Sequence, residues 1–169
     1  TLVVRDRGAQ LVARVRGASA ESYEPIALEE LPEGVVPLLL AAEDKRFFEH
    51  RGPDWSARLS AVWTNVKSGR AVRGASTISE QVVRMLHPRP RTVWSRWLEG
   101  FEAGELERRF TKSEILEFYL NQVPYASERR GVVQAARHYF NRDLYTLSRK
   151  EMLALAVLVF VYTAGYLPA

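Results

Sequence analysis

The segment Ala42-Glu43-Asp44-Lys45-Arg46-Phe47-Phe48-Glu49-His50-Arg51-Gly52-Pro53-Asp54 puts an acidic pair at the end of an apolar run. A carboxylate in that place is a candidate general base. Val35, Val36, Leu38, Leu39, Leu40 and Phe47 would bury one side of a helix ending near Glu43, and desolvation raises a carboxylate toward the pKa of a working base. The plain alternative is a solvated face, with Asp44, Lys45 and Arg46 as surface charge. A second segment, Gly74-Ala75-Ser76-Thr77-Ile78-Ser79-Glu80-Gln81-Val82-Val83-Arg84, opens a helix at Ser76 and Thr77. Its free N–H groups and positive dipole end suit a phosphate or sugar oxygen, although ordinary capping explains the same two residues. Gln81 and Arg84, at i and i+3, project from a common face and can approach one ligand. In Ser95-Arg96-Trp97-Leu98-Glu99, spacing alone gives an Arg96–Glu99 surface pair worth about 0.2–0.5 kcal/mol. His50, followed by Arg51-Gly52, reads as the closure of a helix C-terminus, and the other two histidines lie in no ligand spacing with it.

The elements that must position these groups are mainly helical. Leu2-Val3-Val4-Arg5 and Gln10-Leu11-Val12-Ala13-Arg14-Val15, around a turn containing Gly8, predict a short β-hairpin at about residues 1–16. Three Ser/Thr-x-x-Glu boxes, Thr77 with Glu80, Thr111 with Glu114 and Ser148 with Glu151, mark later helix starts. Trp55, Leu59, Val62, Trp63 and Val66 recur at helical spacing. That stripe fits a core face and a segment dipping into a membrane interface equally well. Val93, Trp97, Phe101 and Phe110 predict a helix face turned inward, and Trp94 and Trp97 beside Arg91 and Arg96 raise the interfacial reading again. His87-Pro88-Arg89-Pro90-Arg91 is a loop, because each proline biases its predecessor away from helix. A mobile loop is the expectation. Met152 to Tyr162 is too short an apolar run to cross a bilayer and reads as a buried core helix.

With 169 residues, 47% of them apolar, the chain is one domain with enough hydrophobic material for a core. It has no cysteine, which removes disulfides and thiolate metal sites. A start at Thr1 reads as a processed or excised piece. The net charge of +4 suits phosphate or an anionic membrane surface. No zinc-finger spacing or aromatic RNA-binding signature accompanies it, so nucleic acid is not the expected partner.

In order and spacing, the acidic segment, the Gly74–Arg84 segment and Glu114-Ile115-Leu116-Glu117-Phe118-Tyr119-Leu120-Asn121 resemble the family 51 glycosyltransferases. These are peptidoglycan polymerases that occur alone or as the first domain of bifunctional penicillin-binding proteins. The likeness runs from about Asp6 to about Leu158, with Pro124-Tyr125 nearest the penicillin-binding protein 1C branch. It implies a lysozyme-like, two-lobed helical domain over residues 1–169. The implied activity is inverting polymerisation of lipid II into β-1,4-linked strands, with release of undecaprenyl diphosphate. By that match Glu43 is the base on the 4-hydroxyl of the acceptor GlcNAc, and Glu99 is the second active-site carboxylate. Asp44 orients the loop, and Arg46, Ser76, Thr77, Gln81, Arg84 and Arg96 serve the substrate, Arg84 standing where the family has a lysine on the diphosphate. The resemblance requires no cofactor but allows a divalent cation, magnesium or manganese, with no dedicated metal ligands. Expected partners are lipid II, the growing glycan chain, the membrane surface, and a transpeptidase domain or cell-wall synthesis proteins. The expected place is the outer face of the bacterial cytoplasmic membrane, with the anchor outside this chain. Tyr119-Leu120-Asn121 and Gly131 to Phe140 match family blocks and read as packing and positioning.

The chain also departs from the family pattern. Glu80 stands where glutamine is usual, Arg84 for lysine, Ser60 for arginine, Ser95-Arg96 for an Arg-Lys pair, and Ala75 and Ala126 for glycine. Each cation lost near the substrate removes a charge-assisted contact of roughly 1.5–3 kcal/mol. The end, from Val159 to Ala169, lacks the family's proline-rich turn and later basic segment, which reads as an incomplete domain. Two rival functions follow. A noncatalytic member would bind lipid II or act as a scaffold, and a lytic transglycosylase would cleave finished strands. Cleavage would not need Gln81, Arg84 or the Ser-Thr helix start.

Overall fold

A computed structural model describes residues 2–5, 11–15, 25–69, 76–125 and 129–163. Seven α-helices dominate them: α1 (Val35–Glu43), α2 (Trp55–Ser68), α3 (Ile78–Leu86), α4 (Val93–Arg109), α5 (Lys112–Gln122), α6 (Gly131–Phe140) and α7 (Arg149–Thr163). Strands β1 (Leu2–Arg5) and β2 (Leu11–Val15) pair antiparallel, with Leu2 opposite Val15. Residues 6–10 between them, and Ala75, Ala126 and 164–169, lie outside the described residues.

The core forms around α5, whose Ile115, Leu116, Tyr119 and Leu120 are all buried. α3 packs between α4 and α5, α6 packs on α5, and α7 closes the bundle against α1. The three capping boxes form as the spacing predicts: Thr77 and Thr111 each accept from the N–H three residues on while Glu80 and Glu114 reach back. Ser148 and Glu151 do the same ahead of α7. Reciprocal bonds of this kind satisfy backbone donors that a helix start otherwise leaves orphaned.

α3 is buried almost all round its first two turns, polar residues included. Each buried polar group there has a partner: Ser79 Oγ donates to Glu107 at 2.5 Å, Glu80 pairs with Arg58, and Gln81 bonds Glu43 and Tyr119. Burial without such partners would cost free energy.

α4 corrects the inward aromatic face. Its buried positions are Ser95, Glu99, Gly100, Ala103 and Leu106, while Val93, Trp94, Trp97 and Phe101 are exposed. Small residues let α3 approach closely, so the bulky ones are left on the outer side; only Phe110 packs against the core. The α2 stripe is not core either: Leu59, Trp63 and Val66 are each more than 70% exposed, and among the described side chains of α2 only Ala61 is buried. α7 is a core helix on one face, through Leu155, Ala156 and Val159, with Leu153, Val157 and Phe160 exposed on the other. Among the described residues no helix is long and apolar enough to cross a membrane.

Gly131 opens α6 at φ 79°, and a Cβ there would lie 2.6 Å from the Asn121 carbonyl oxygen. A left-handed non-glycine residue costs roughly 1–2 kcal/mol before any clash, so Gly131→Ala is expected to destabilise by about 2 kcal/mol or more. Urea unfolding of the variant measures it, and an unchanged midpoint would contradict this packing.

Candidate active site

The site is assembled at the two ends where α1 stops and α3 starts. α1 ends at Glu43 because Asp44 leaves helical geometry, at φ −158° and ψ 80°. Asp44 then takes two contacts. Its Oδ2 accepts from the N–H of Ile78 at 3.1 Å, and its carboxylate lies 3.0–3.1 Å from Nε2 of His50. The N-terminus of α3 therefore already holds an anion, the protein's own Asp44, which fastens the α1 end to it. His50 does not close a helix C-terminus as its neighbours suggested; it braces Asp44 from the turn that follows α1.

Glu43 faces a cleft of about 570 Å³ that is also lined by Asp44, Lys45, Arg46, Ser76 and Thr77. Its two oxygens differ. Oε2 accepts from Gln81 Nε2 at 2.8 Å and from Thr163 Oγ1 at 3.3 Å, whereas Oε1 is buried and has no partner among the described residues. Burial raises the pKa of Glu43, the neighbouring Asp44 charge adds to that, and the Gln81 and Thr163 donors oppose it.

Arg46 donates to both oxygens of Asp54, at 2.5 and 2.7 Å, and to Ser56. Asp54 caps α2 through the N–H of Ala57 at 2.9 Å. Burial pushes Asp54 upward, but Arg46, Ala57 and Ser56 together overcome it and hold the carboxyl at about 2. Asp44, His50 and Asp54 present ligand atoms within 4.8 Å of one another. They do not fit a resident divalent cation, because both carboxylates are committed and the Arg46 guanidinium lies against one of them.

On the other side of Ser76, Arg84 and Glu99 form a fork. Nε and Nη2 of Arg84 donate to the two Glu99 oxygens at 3.1 and 2.6 Å, and Nη2 also reaches Ser76 Oγ at 3.4 Å. Glu99 is buried, so its charge requires this partner. The Arg96–Glu99 surface pair is thereby corrected: Arg96 is exposed on α4, and Glu99 turns to α3 instead. Glu80 is buried beside this pair and meets Arg58, whose guanidinium also stacks 5.2 Å from the Trp55 ring. Burial and the Glu99 charge raise the Glu80 pKa against the opposing pull of Thr77 and Arg58.

The structure thus gathers Glu43, Asp44, Arg46, Ser76 and Thr77 around one cleft, with Gln81 touching Glu43 and Arg84 and Glu99 joined to it through Ser76. Glu99 does not itself line that cleft, and Arg96 stands apart. Two contributors, Thr163 and Arg58, carried no mark in the sequence, and Tyr119 was marked only as part of a packing and positioning block. The loop at residues 87–91 is irregular but tied down, since Arg89 and His87 reach Glu102 at 2.5 and 3.2 Å and Arg91 reaches the Thr163 carbonyl at 2.8 Å.

A helical bundle with a desolvated glutamate beside a polar helix start can support general-base chemistry on a bound ligand. The family model described as Transglycosylase matches residues 8–161, and the chain belongs to that family. It is 37% identical to penicillin-binding protein 1A of Aquifex aeolicus (strain VF5) over 134 residues, 79% of this chain and 18% of that protein. It is 36% identical over 135 residues to the biosynthetic peptidoglycan transglycosylase of Nitrosospira multiformis (strain ATCC 25196 / NCIMB 11849 / C 71), covering 79% of this chain and 59% of that protein. With penicillin-binding protein 1C of Escherichia coli (strain K12) the identity is 33% over 134 residues, 79% of this chain and 17% of the relative. The chain therefore spans less than two thirds of each of these relatives.

Proposed function

We propose that this chain is a peptidoglycan glycosyltransferase domain that polymerises lipid II at the outer face of the bacterial cytoplasmic membrane. The observation that carries the reading is Glu43, a desolvated carboxylate bordering a cleft, with one oxygen held and the other left without a donor. The fine architecture we assign is the lysozyme-like, two-lobed one with an N-terminal hairpin. Glu43 takes the proton from the acceptor 4-hydroxyl as that oxygen attacks C1 of the donor sugar. The bond from C1 to the diphosphate oxygen breaks on the opposite face, the anomeric centre inverts, and undecaprenyl diphosphate leaves. Nη1 of Arg84, not engaged by Glu99 or Ser76, supports contact with the departing diphosphate, as do Ser76, Thr77 and Arg46, which line the cleft, whereas the exposed Arg96 stands apart from them. Asp44 and Glu99 act by holding other groups in place. Lipid II, the glycan chain, a transpeptidase domain and other cell-wall synthesis proteins are the partners this reading assigns.

The exposed apolar residues of α2 and α4, with the Trp55 and Trp97 rings 5.9 Å apart, favour the membrane reading of both stripes. Replacing Trp63 and Trp94 with serine is expected to reduce co-sedimentation with anionic phospholipid vesicles while leaving the urea midpoint unchanged. Loss of stability with unchanged vesicle binding would return these residues to a packing role.

The function itself is tested by offering lipid II and finished glycan strands separately. Consumption of lipid II with release of undecaprenyl diphosphate supports polymerisation. Consumption of finished strands would make the protein lytic, and lipid II binding with no turnover would make it a noncatalytic member.

A further inference from the structure

We propose that Tyr119 is a positioning residue for the base: its hydroxyl orients the Gln81 amide so that Gln81 donates to Glu43 Oε2 and favours the ionised form that takes the acceptor's proton. This rests on the glycosyltransferase reading of Glu43. Tyr119 lies on α5, fully buried, and its O–H donates to Gln81 Oε1 at 2.9 Å. Gln81 then presents Nε2 to Glu43 Oε2 at 2.8 Å. A carboxamide can turn over, exchanging its oxygen and nitrogen. Reversed, the Gln81 oxygen would face Glu43 Oε2, which only a protonated Glu43 tolerates, as donor. A hydroxyl that donates to Gln81 therefore favours the ionised, proton-accepting form of Glu43. Burial and the nearby Glu43 charge push the Tyr119 phenol well above its ordinary range, which keeps its proton in place to donate.

Thr163, at the end of α7, makes the weaker second contact. Its one hydroxyl hydrogen is divided between Glu43 Oε2 and the Phe160 carbonyl, each 3.3 Å away. The remaining ionisable groups around Glu43 do not substitute for the relay. Asp44 and the buried Tyr125 bear on it electrostatically, Lys45 and Arg46 line its cleft, and Arg84 acts on Tyr119 from α3. Oε1 is buried and has no donor among the described residues, so the donors that favour the carboxylate all act at Oε2.

The test is Tyr119→Phe, read in two ways on the chain as it stands: the pH profile of lipid II polymerisation, and the carbon-13 titration of the Glu43 carboxyl. Losing the oriented donor destabilises the carboxylate, so the Glu43 pKa should rise by about one unit, tenfold in its ionisation constant. The acid limb of kcat/KM moves up with it, and kcat falls about tenfold below that limb while KM for lipid II is unchanged. Gln81→Met, which removes the donor without touching Tyr119, should shift Glu43 in the same direction, and adding Tyr119→Phe to it should shift Glu43 no further. Identical Glu43 titration in parent and both variants would overturn the proposal, as would a second, additive shift in the double variant. The titration needs no turnover, so a parent that does not polymerise defeats the functional reading separately.

Discussion

Arg84→Ala is expected to cost the folded protein about 3 kcal/mol or more and to abolish glycan formation with it. Arg84 answers both oxygens of Glu99, whose side chain is only 6% exposed. Removing the guanidinium strands that charge beside a second buried carboxylate, Glu80, which the Glu99 charge already pushes upward. Breaking one side of a buried pair is far more harmful than never having formed it. Arg84→Ala combined with Glu99→Gln should therefore be more stable than Arg84→Ala alone, in urea unfolding. Equal destabilisation by the single and double variants would show that Glu99 does not depend on Arg84. Arg84→Lys keeps the charge but not the two-pronged geometry, and should fall between.

Glu43→Gln should lower the polymerisation rate by roughly 10²–10⁴-fold, the range a general base supplies, while leaving lipid II bound. Its effect on stability runs the other way. Burial raises the Glu43 pKa above its unfolded value, so the stability this group contributes is fully present below the unfolded carboxylate pKa and is lost as pH rises through the folded one. The glutamine variant has no such titration. It should be more stable than the parent at neutral pH, with the gap closing as pH falls below the ordinary glutamate range. Thermal unfolding across that range measures the gap, and a variant less stable than the parent at neutral pH would mean that the carboxylate is held mainly by its donors. For turnover the sign is that of a base: activity falls as pH drops through the raised pKa.

The acidic pair was legible because Glu43 follows an apolar helix and stands next to Asp44, both local facts. The three capping boxes were legible for the same reason. What holds Glu43 was not: Gln81 lies 38 residues away, and its spacing with Arg84 pointed to a shared ligand rather than to Glu43, while Thr163 lies 120 away with no local signal. Periodicity likewise shows that a helix has an apolar side without showing what that side meets. On α4 it pointed the aromatics inward, whereas Gly100 and Ala103 admit α3 and leave Trp97 and Phe101 outside. The nearest basic residue in sequence misled in the same way: Glu99 pairs with Arg84, 15 residues back on another helix, not with Arg96 one turn away. Spacing reads contacts along one helix well, and this site is made between helices.

The central claim is that Glu43 is the base of a glycan polymerase, and glycan-chain formation from lipid II in liposomes, with lipid II binding followed in parallel, tests it most directly. The account predicts polymer from the parent and none from Glu43→Gln, with binding retained by both. Polymer made by the variant at the parent's rate would contradict it.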